Sequence, residues 1–307
     1  MKYVLRSIAI GAALSAALTS QAFAQSPAPG KPAPKAAPAK SASKGVVAGV
    51  PRLANGKPDF SGVWQVLNTA NWDIEPHGAK PALCVRPGVK DVQGVVVYVP
   101  CPNVLALGAI GAVPAGLGIV DGDTIPYKPE ALKTRDDNRA HALDRDPEVK
   151  CYLPGVPRAN YMPFPFQIYQ TVNTMLMSYE YDGADRQVKF VDPGPAPLDS
   201  WMGQSVAKWD GDTLVITVTG QNDRTWLDRS GNFHSADMKV VEHYTYTSPG
   251  VVLYEAEITD PQTFTRPWKI SMNLYKRVGK DGALLQFKCV EYVEELIYGK
   301  LRKDPLK

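Results

Sequence analysis

From residue 166 onward the chain alternates apolar and polar side chains in short runs, the period of half-buried β-strands. The runs predict strands over 166–171, 174–181, 186–192, 205–209, 213–219, 238–247, 251–259, 268–277 and 283–293. Several are separated by turn dipeptides: Asp182-Gly183, Asp210-Gly211, Pro249-Gly250 and Asp281-Gly282. Asp210-Gly211, between two of the clearest runs, predicts a type I′ hairpin. A further strand is predicted over 60–66. So many short hairpin-linked strands point to an all-β fold. It would be an antiparallel meander that closes into a barrel and so removes its exposed edges.

Three stretches break the alternation. Residues 71–127 are irregular, and 104–120 is apolar but interrupted by glycines and Pro114, so it reads as a long pocket-covering insert. Residues 130–146 follow Pro129 and carry a partial apolar face, which predicts one solvated outer helix. Residues 220–237 form a polar connection longer than a hairpin needs, yet it contains Trp226. Such a loop is expected to fold over the barrel mouth and to carry function.

On strand faces, the alternation groups Leu176, Ser178 and Glu180 together. In the last predicted strand it groups Leu285, Phe287, Cys289, Glu291 and Val293. Glu180 and Glu291 thus fall on apolar faces, where a carboxylate needs a partner such as Arg158 or Arg266.

The first 48 residues change the charge picture. Lys2 and Arg6, an apolar run from Ile8 to Leu18 and Ala22-Phe23-Ala24 have the form of a signal peptide, residues 1–24, cleaved near Ala24. Residues 25–48 are Pro-, Ala- and Lys-rich and read as a disordered tether before one domain over 49–307. Six of the 34 Lys and Arg residues lie in these segments and none of the 31 acids does, leaving 28 basic residues in the body. The body is therefore near neutral and offers no nucleic-acid surface. The expected location is periplasmic or secreted, with no stable membrane insertion. Composition says nothing of oligomeric state.

Export makes disulfides the natural expectation for Cys84, Cys101, Cys151 and Cys289, which allow three pairings. Cys84 and Cys101 bracket one local hairpin-like segment, leaving Cys151 for Cys289; two buried thiols are the alternative.

The candidate chemistry centres on 220–237. Asp228 and His234 would form an oriented acid–base pair, with Glu242 nearby as a third catalytic candidate. The alternative is a loop locked by both side chains hydrogen-bonding backbone groups of Gly231 and Asn232. Arg158, Tyr161, Trp209, Trp226 and Glu180 are the candidate substrate-binding residues, since aromatic side chains with a few polar groups line small-ligand pockets. No serine elbow, phosphate loop or dinucleotide fingerprint is present, and no zinc spacing. Asp223, Asp228 and Asp237 do not fit a calcium loop. No cofactor or metal is expected. The reading is an exported protein that binds a small hydrophobic or aromatic molecule in a barrel pocket. The alternative is a cofactor-independent lyase, isomerase or hydrolase using the His/Asp pair.

Two resemblances add to this. Gly62-Val63-Trp64 is similar to the G-x-W start of lipocalin-like barrels, which implies a tryptophan closing one barrel end. More extensively, residues 151–168, WMGQSVAKWDGDTLVITVTG (201–220), TWLDRSGNFHS (225–235), KVVEHYTY and ITDPQTFTRPW resemble a family of exported bacterial proteins. Its pattern is GxSxGxWxGDTLVVxT, then DxxGxxHS, a V-x-E strand and DPxxxTxPW. Ala207 and His243 depart from it, standing where the pattern has glycine and arginine. The resemblance implies export and a β-rich fold, and assigns no reaction.

Overall fold

The computed structural model describes residues 47–79, 83–90, 96–100, 113–279 and 282–293. The predicted signal peptide and most of the tether lie outside them. Nine strands form a closed barrel: β1 (Gly62–Gln65), β4 (Phe166–Gln170), β5 (Thr174–Tyr179), β6 (Asp185–Lys189), β7 (Gln204–Asp210), β8 (Thr213–Thr219), β9 (Lys239–Ser248), β10 (Val251–Thr259) and β11 (Trp268–Lys276). The remaining two, β2 (Leu83–Lys90) and β3 (Val96–Pro100), pair with each other inside the insert. Cys101 falls outside the described residues, and with it the expected Cys84–Cys101 bond.

Alternation builds the core. Met175, Met177 and Tyr179 point inward from β5, Leu214, Ile216 and Val218 from β8, and Val252, Tyr254, Ala256 and Ile258 from β10. The expected face of β5 is therefore inverted: Leu176 and Ser178 point outward. Glu180 follows them outside the wall, where its carboxylate accepts a hydrogen bond from the Leu285 amide at 2.7 Å.

Closure depends on β1, which pairs with β11 through Trp64–Lys276 and with β4 through Gly62–Ile168. Trp64 is fully buried, as the G-x-W resemblance implies, and its Nε1 donates to the Phe60 carbonyl at 2.8 Å. Gly62 has φ +135°, and a Cβ there would sit 2.4 Å from Lys276 Cε. The lysine chain end crosses that point to reach the Ser61 carbonyl and would have to shift, and the positive φ itself favours glycine.

Three sequence expectations need correction. The sheet is not a pure meander, because β6 and β7 are parallel and share only the pairs Val188–Ser205 and Lys189–Val206. Residues 190–203 carry the chain back across the barrel to make that possible. Residues 283–293 are not a strand: Phe287 packs on Phe164 and Tyr181, and Cys289 is bonded to Cys151 across a Cα separation of 5.5 Å. Glu291 is exposed there. Finally, the β7–β8 turn is Gly211-Asp212, with positive φ at Gly211 alone, whereas a type I′ turn needs it at both positions.

The outer helix is α1 (Pro129–Ala140), with no buried residue, followed by a helical turn over Ala142–Arg145. Among the described residues, no helix is long and apolar enough to cross a membrane.

Candidate functional site

The hairpins β4–β5, β7–β8 and β9–β10 lie at one end of the barrel, and the long β8–β9 and β10–β11 connections lie at the other. Between the ends, the alternation of β6 and β9 points two charges inward. Arg186 and Glu242 are both fully buried and form a bidentate ion pair, Nη1 to Oε1 at 3.2 Å and Nη2 to Oε2. Glu242 Oε1 also accepts from Asn160 Nδ2 at 2.9 Å, Tyr254 Oη at 2.9 Å and Tyr244 Oη at 3.1 Å. Arg186 Nε donates to Ser205 Oγ at 2.7 Å across the β6–β7 seam. Tyr179 donates to Asn160 Oδ1 at 3.0 Å, and burial pushes its phenol up to about 12. Arg186 and Glu242 match each other's charge, as burial demands.

A second polar layer caps the loop end. Arg158 is buried and donates to Asn71 Oδ1 (2.9 Å), Asp146 Oδ1 (3.1 Å) and Glu148 Oε2 (2.6 Å). Arg229 lies over the Trp72 ring at 4.7 Å. Residues 220–237 do fold into this layer, as expected: Tyr161 Oη donates to the Leu227 carbonyl at 2.7 Å, and Trp226 bridges to Phe233.

The expected Asp228–His234 pair is not formed. Asp228 accepts from the amides of Ile74 (2.9 Å), Ser230 (2.8 Å) and Asn232 (3.2 Å) and from Asn232 Nδ2 (2.6 Å). His234 Nε2 instead meets Thr225 Oγ1 at 2.6 Å, and Nδ1 meets the Ser235 carbonyl at 2.9 Å. A carbonyl can only accept, so Nδ1 carries the proton and Nε2 accepts from the threonine hydroxyl. The loop's many backbone amides need acceptors once buried, and Asp228 supplies them. This is a loop lock that differs from the expected one: Asp228 holds the amides of Ser230 and Asn232 rather than Gly231, and His234 holds Thr225 and the Ser235 carbonyl.

Burial, with Asp73 nearby, pushes Asp228 up to about 7 against its four donors. Burial lowers His234 below the ordinary histidine value, against the Ser235 carbonyl and Asp260. The two act oppositely on stability. Asp228, raised, contributes fully below about pH 4 and loses that contribution as pH rises through about 7. His234, lowered, contributes fully above its unfolded value near 6.5 and loses it as pH falls. With Asp228 common to both proteins, His234→Gln should therefore gain melting temperature relative to the parent as pH falls from about 7 to 5. Parallel melting curves would exclude the assignment.

The other sequence candidates are dispersed. Glu242 is inside the barrel with Arg186. Trp209 is at the hairpin end, stacked between Phe60 and Phe190 at 6.2 and 6.5 Å, and Glu180 is outside the wall. The candidates missed from sequence are Arg186, Asn160, Tyr179 and Tyr254. Arg186 was detectable, because it takes the inward phase between Ala184 and Val188.

Two hollows open elsewhere, on the outer wall. One of about 800 Å³ spans β1, β4, β5 and β6, with Tyr169, Leu176, Phe190 and Val191 as its apolar lining and Gln167, Asn173 and Gln187 among its polar groups. The other, of about 250 Å³, lies between the β6–β7 seam and the crossover, beside Ser200, Gln204 and Ser205. None of the eight sequence candidates lines either one. No protein-family model, curated protein or solved structure matches the chain. The class defined by structure alone is a closed mixed β-barrel with a charged interior and a polar cap.

Proposed function

We propose that this is an exported binding protein for a small, largely apolar or aromatic molecule, seated in the outer hollow of the β1–β4–β5–β6 wall. One observation carries the reading. A concavity of about 800 Å³ with an apolar lining and a few polar amides has the size and chemistry of small-ligand sites. Its apolar members are exposed: Tyr169 on the exterior of β4 is 50% accessible and Val191, just past the end of β6, 80%. This relocates the pocket from the barrel mouth, where packed side chains and the polar cap sit. Export is supported by the signal-peptide pattern, by the family resemblance and by the Cys151–Cys289 disulfide.

The test is titration with the neutral fluorophore N-phenyl-1-naphthylamine. Its emission should rise on binding to the parent, and Tyr169→Ser should weaken binding about tenfold, the order expected from losing one aromatic wall. No binding, or equal binding by both proteins, would remove the proposal. The acid–base alternative has no comparable support, since Asp228 and His234 are engaged separately.

A further inference from the structure

The two hollows are neighbours. Gln187 and Lys189 line both, so one ligand can occupy the large apolar space and reach the small one beside the crossover. Among the described residues lining either hollow, Lys189 carries the only charge, and it makes no ion pair with another described residue. The small hollow is otherwise fitted with short polar groups. Ser205 forms part of its wall, but its buried hydroxyl accepts from Arg186 inside the barrel, while Gln204 Nε2 is tied to the Gly194 carbonyl at 2.7 Å, fixing the crossover against β7. Gln187 and Ser200 complete a polar recess that includes amide and hydroxyl donors and has no carboxylate. An unpaired ammonium beside such donors favours an anion of few atoms, through charge-assisted hydrogen bonds.

We infer that the ligand is an amphipathic organic acid, with its apolar body in the large hollow and its carboxylate at Lys189 in the small one. This rests on the proposed function above and narrows it to one class, a free soluble monocarboxylate. Lys189 is the specificity-determining residue. It lies at the end of β6, partly exposed and outside the buried core, so its replacement leaves the barrel intact.

The experiment compares acids with their alcohols by calorimetry: 2-naphthoate with 2-naphthylmethanol, and decanoate with decanol. Each acid should bind at least tenfold tighter than its alcohol, less so as salt is raised. Lys189→Met should erase that difference by weakening the acids more than the alcohols, and Lys189→Arg should restore most of it. Acid and alcohol binding equally, or an acid preference that survives Lys189→Met, would overturn the inference while leaving the hollow as a site. Failure of all four compounds, alongside failure of the neutral fluorophore, would overturn both. Binding to vesicles of anionic lipid without binding to the free acids would replace a soluble ligand with a membrane surface.

Discussion

Arg186→Met is expected to destabilise the protein by about 3–5 kcal/mol, the cost of leaving one member of a buried ion pair without its partner. Glu242 would keep Asn160, Tyr244 and Tyr254 as donors but would have no opposing charge in the barrel interior. Glu242→Gln alone should cost a similar amount, because Arg186 then lacks its bidentate acceptor. The double change Arg186→Met with Glu242→Gln should recover much of the loss, since neither charge remains to be desolvated. Urea unfolding of the four proteins measures the cycle. Additive losses in the double variant would mean that the two residues do not act as a pair.

Breaking the Cys151–Cys289 bond carries the second large effect. The cysteines are 138 residues apart, and closing a loop of that length stabilises by about 5 kcal/mol in the chain-entropy treatment. For a body of this size that corresponds to a melting temperature lower by roughly 10 °C or more. The bond also pins residues 282–293, whose other holds include Phe287 between Phe164 and Tyr181, the Leu285 amide on Glu180 at 2.7 Å, Lys288 beside Asp182 at 3.8 Å and the Tyr292 amide on the Val149 carbonyl at 2.7 Å. Reduction should therefore also make this segment the first point of proteolysis. A Cys151→Ser, Cys289→Ser protein that melts with the parent would refute both statements.

Much of the barrel was legible because strands β7, β9, β10 and β11 alternate cleanly and the β7–β8 and β9–β10 turns carry glycine. The same rule misled at both ends of the β-rich stretch. Leu285, Phe287 and Cys289 alternate as a strand does, but the spacing serves a ring stack and a disulfide rather than a ladder. On β5 both faces carry apolar residues, so periodicity alone could not tell that Met175 and Met177 point inward and Leu176 outward. The parallel seam was hidden because residues 190–203, with Pro193, Pro195 and Pro197, read equally as a loose hairpin loop or a crossover. In the candidate site, Asp228 and His234 are both buried, but the direct contact expected between them is not formed. Their separation was not readable, because it is decided by amides of Ile74, Ser230 and Asn232 and by Thr225, which compete for the same side chains. The outer hollow leaves no periodic signature, since its lining is an ordinary strand exterior made concave by the bend of the wall.

The barrel is sealed by Trp64 meeting Lys276, residues more than two hundred positions apart in a chain of 307. Ring closure is thus highly non-local: β1 can pair with β4 early, but it gains its second neighbour only after the last barrel strand exists. A nascent chain emerging from its N-terminus can assemble the β7–β10 hairpins early, but it leaves β1 and the indole of Trp64 unsealed until β11 arrives. Topologies dominated by such distant pairings fold slowly. The final, rate-limiting event should be the docking of β11 against β1, visible as a late quenching or shift of Trp64 fluorescence after most sheet structure has formed.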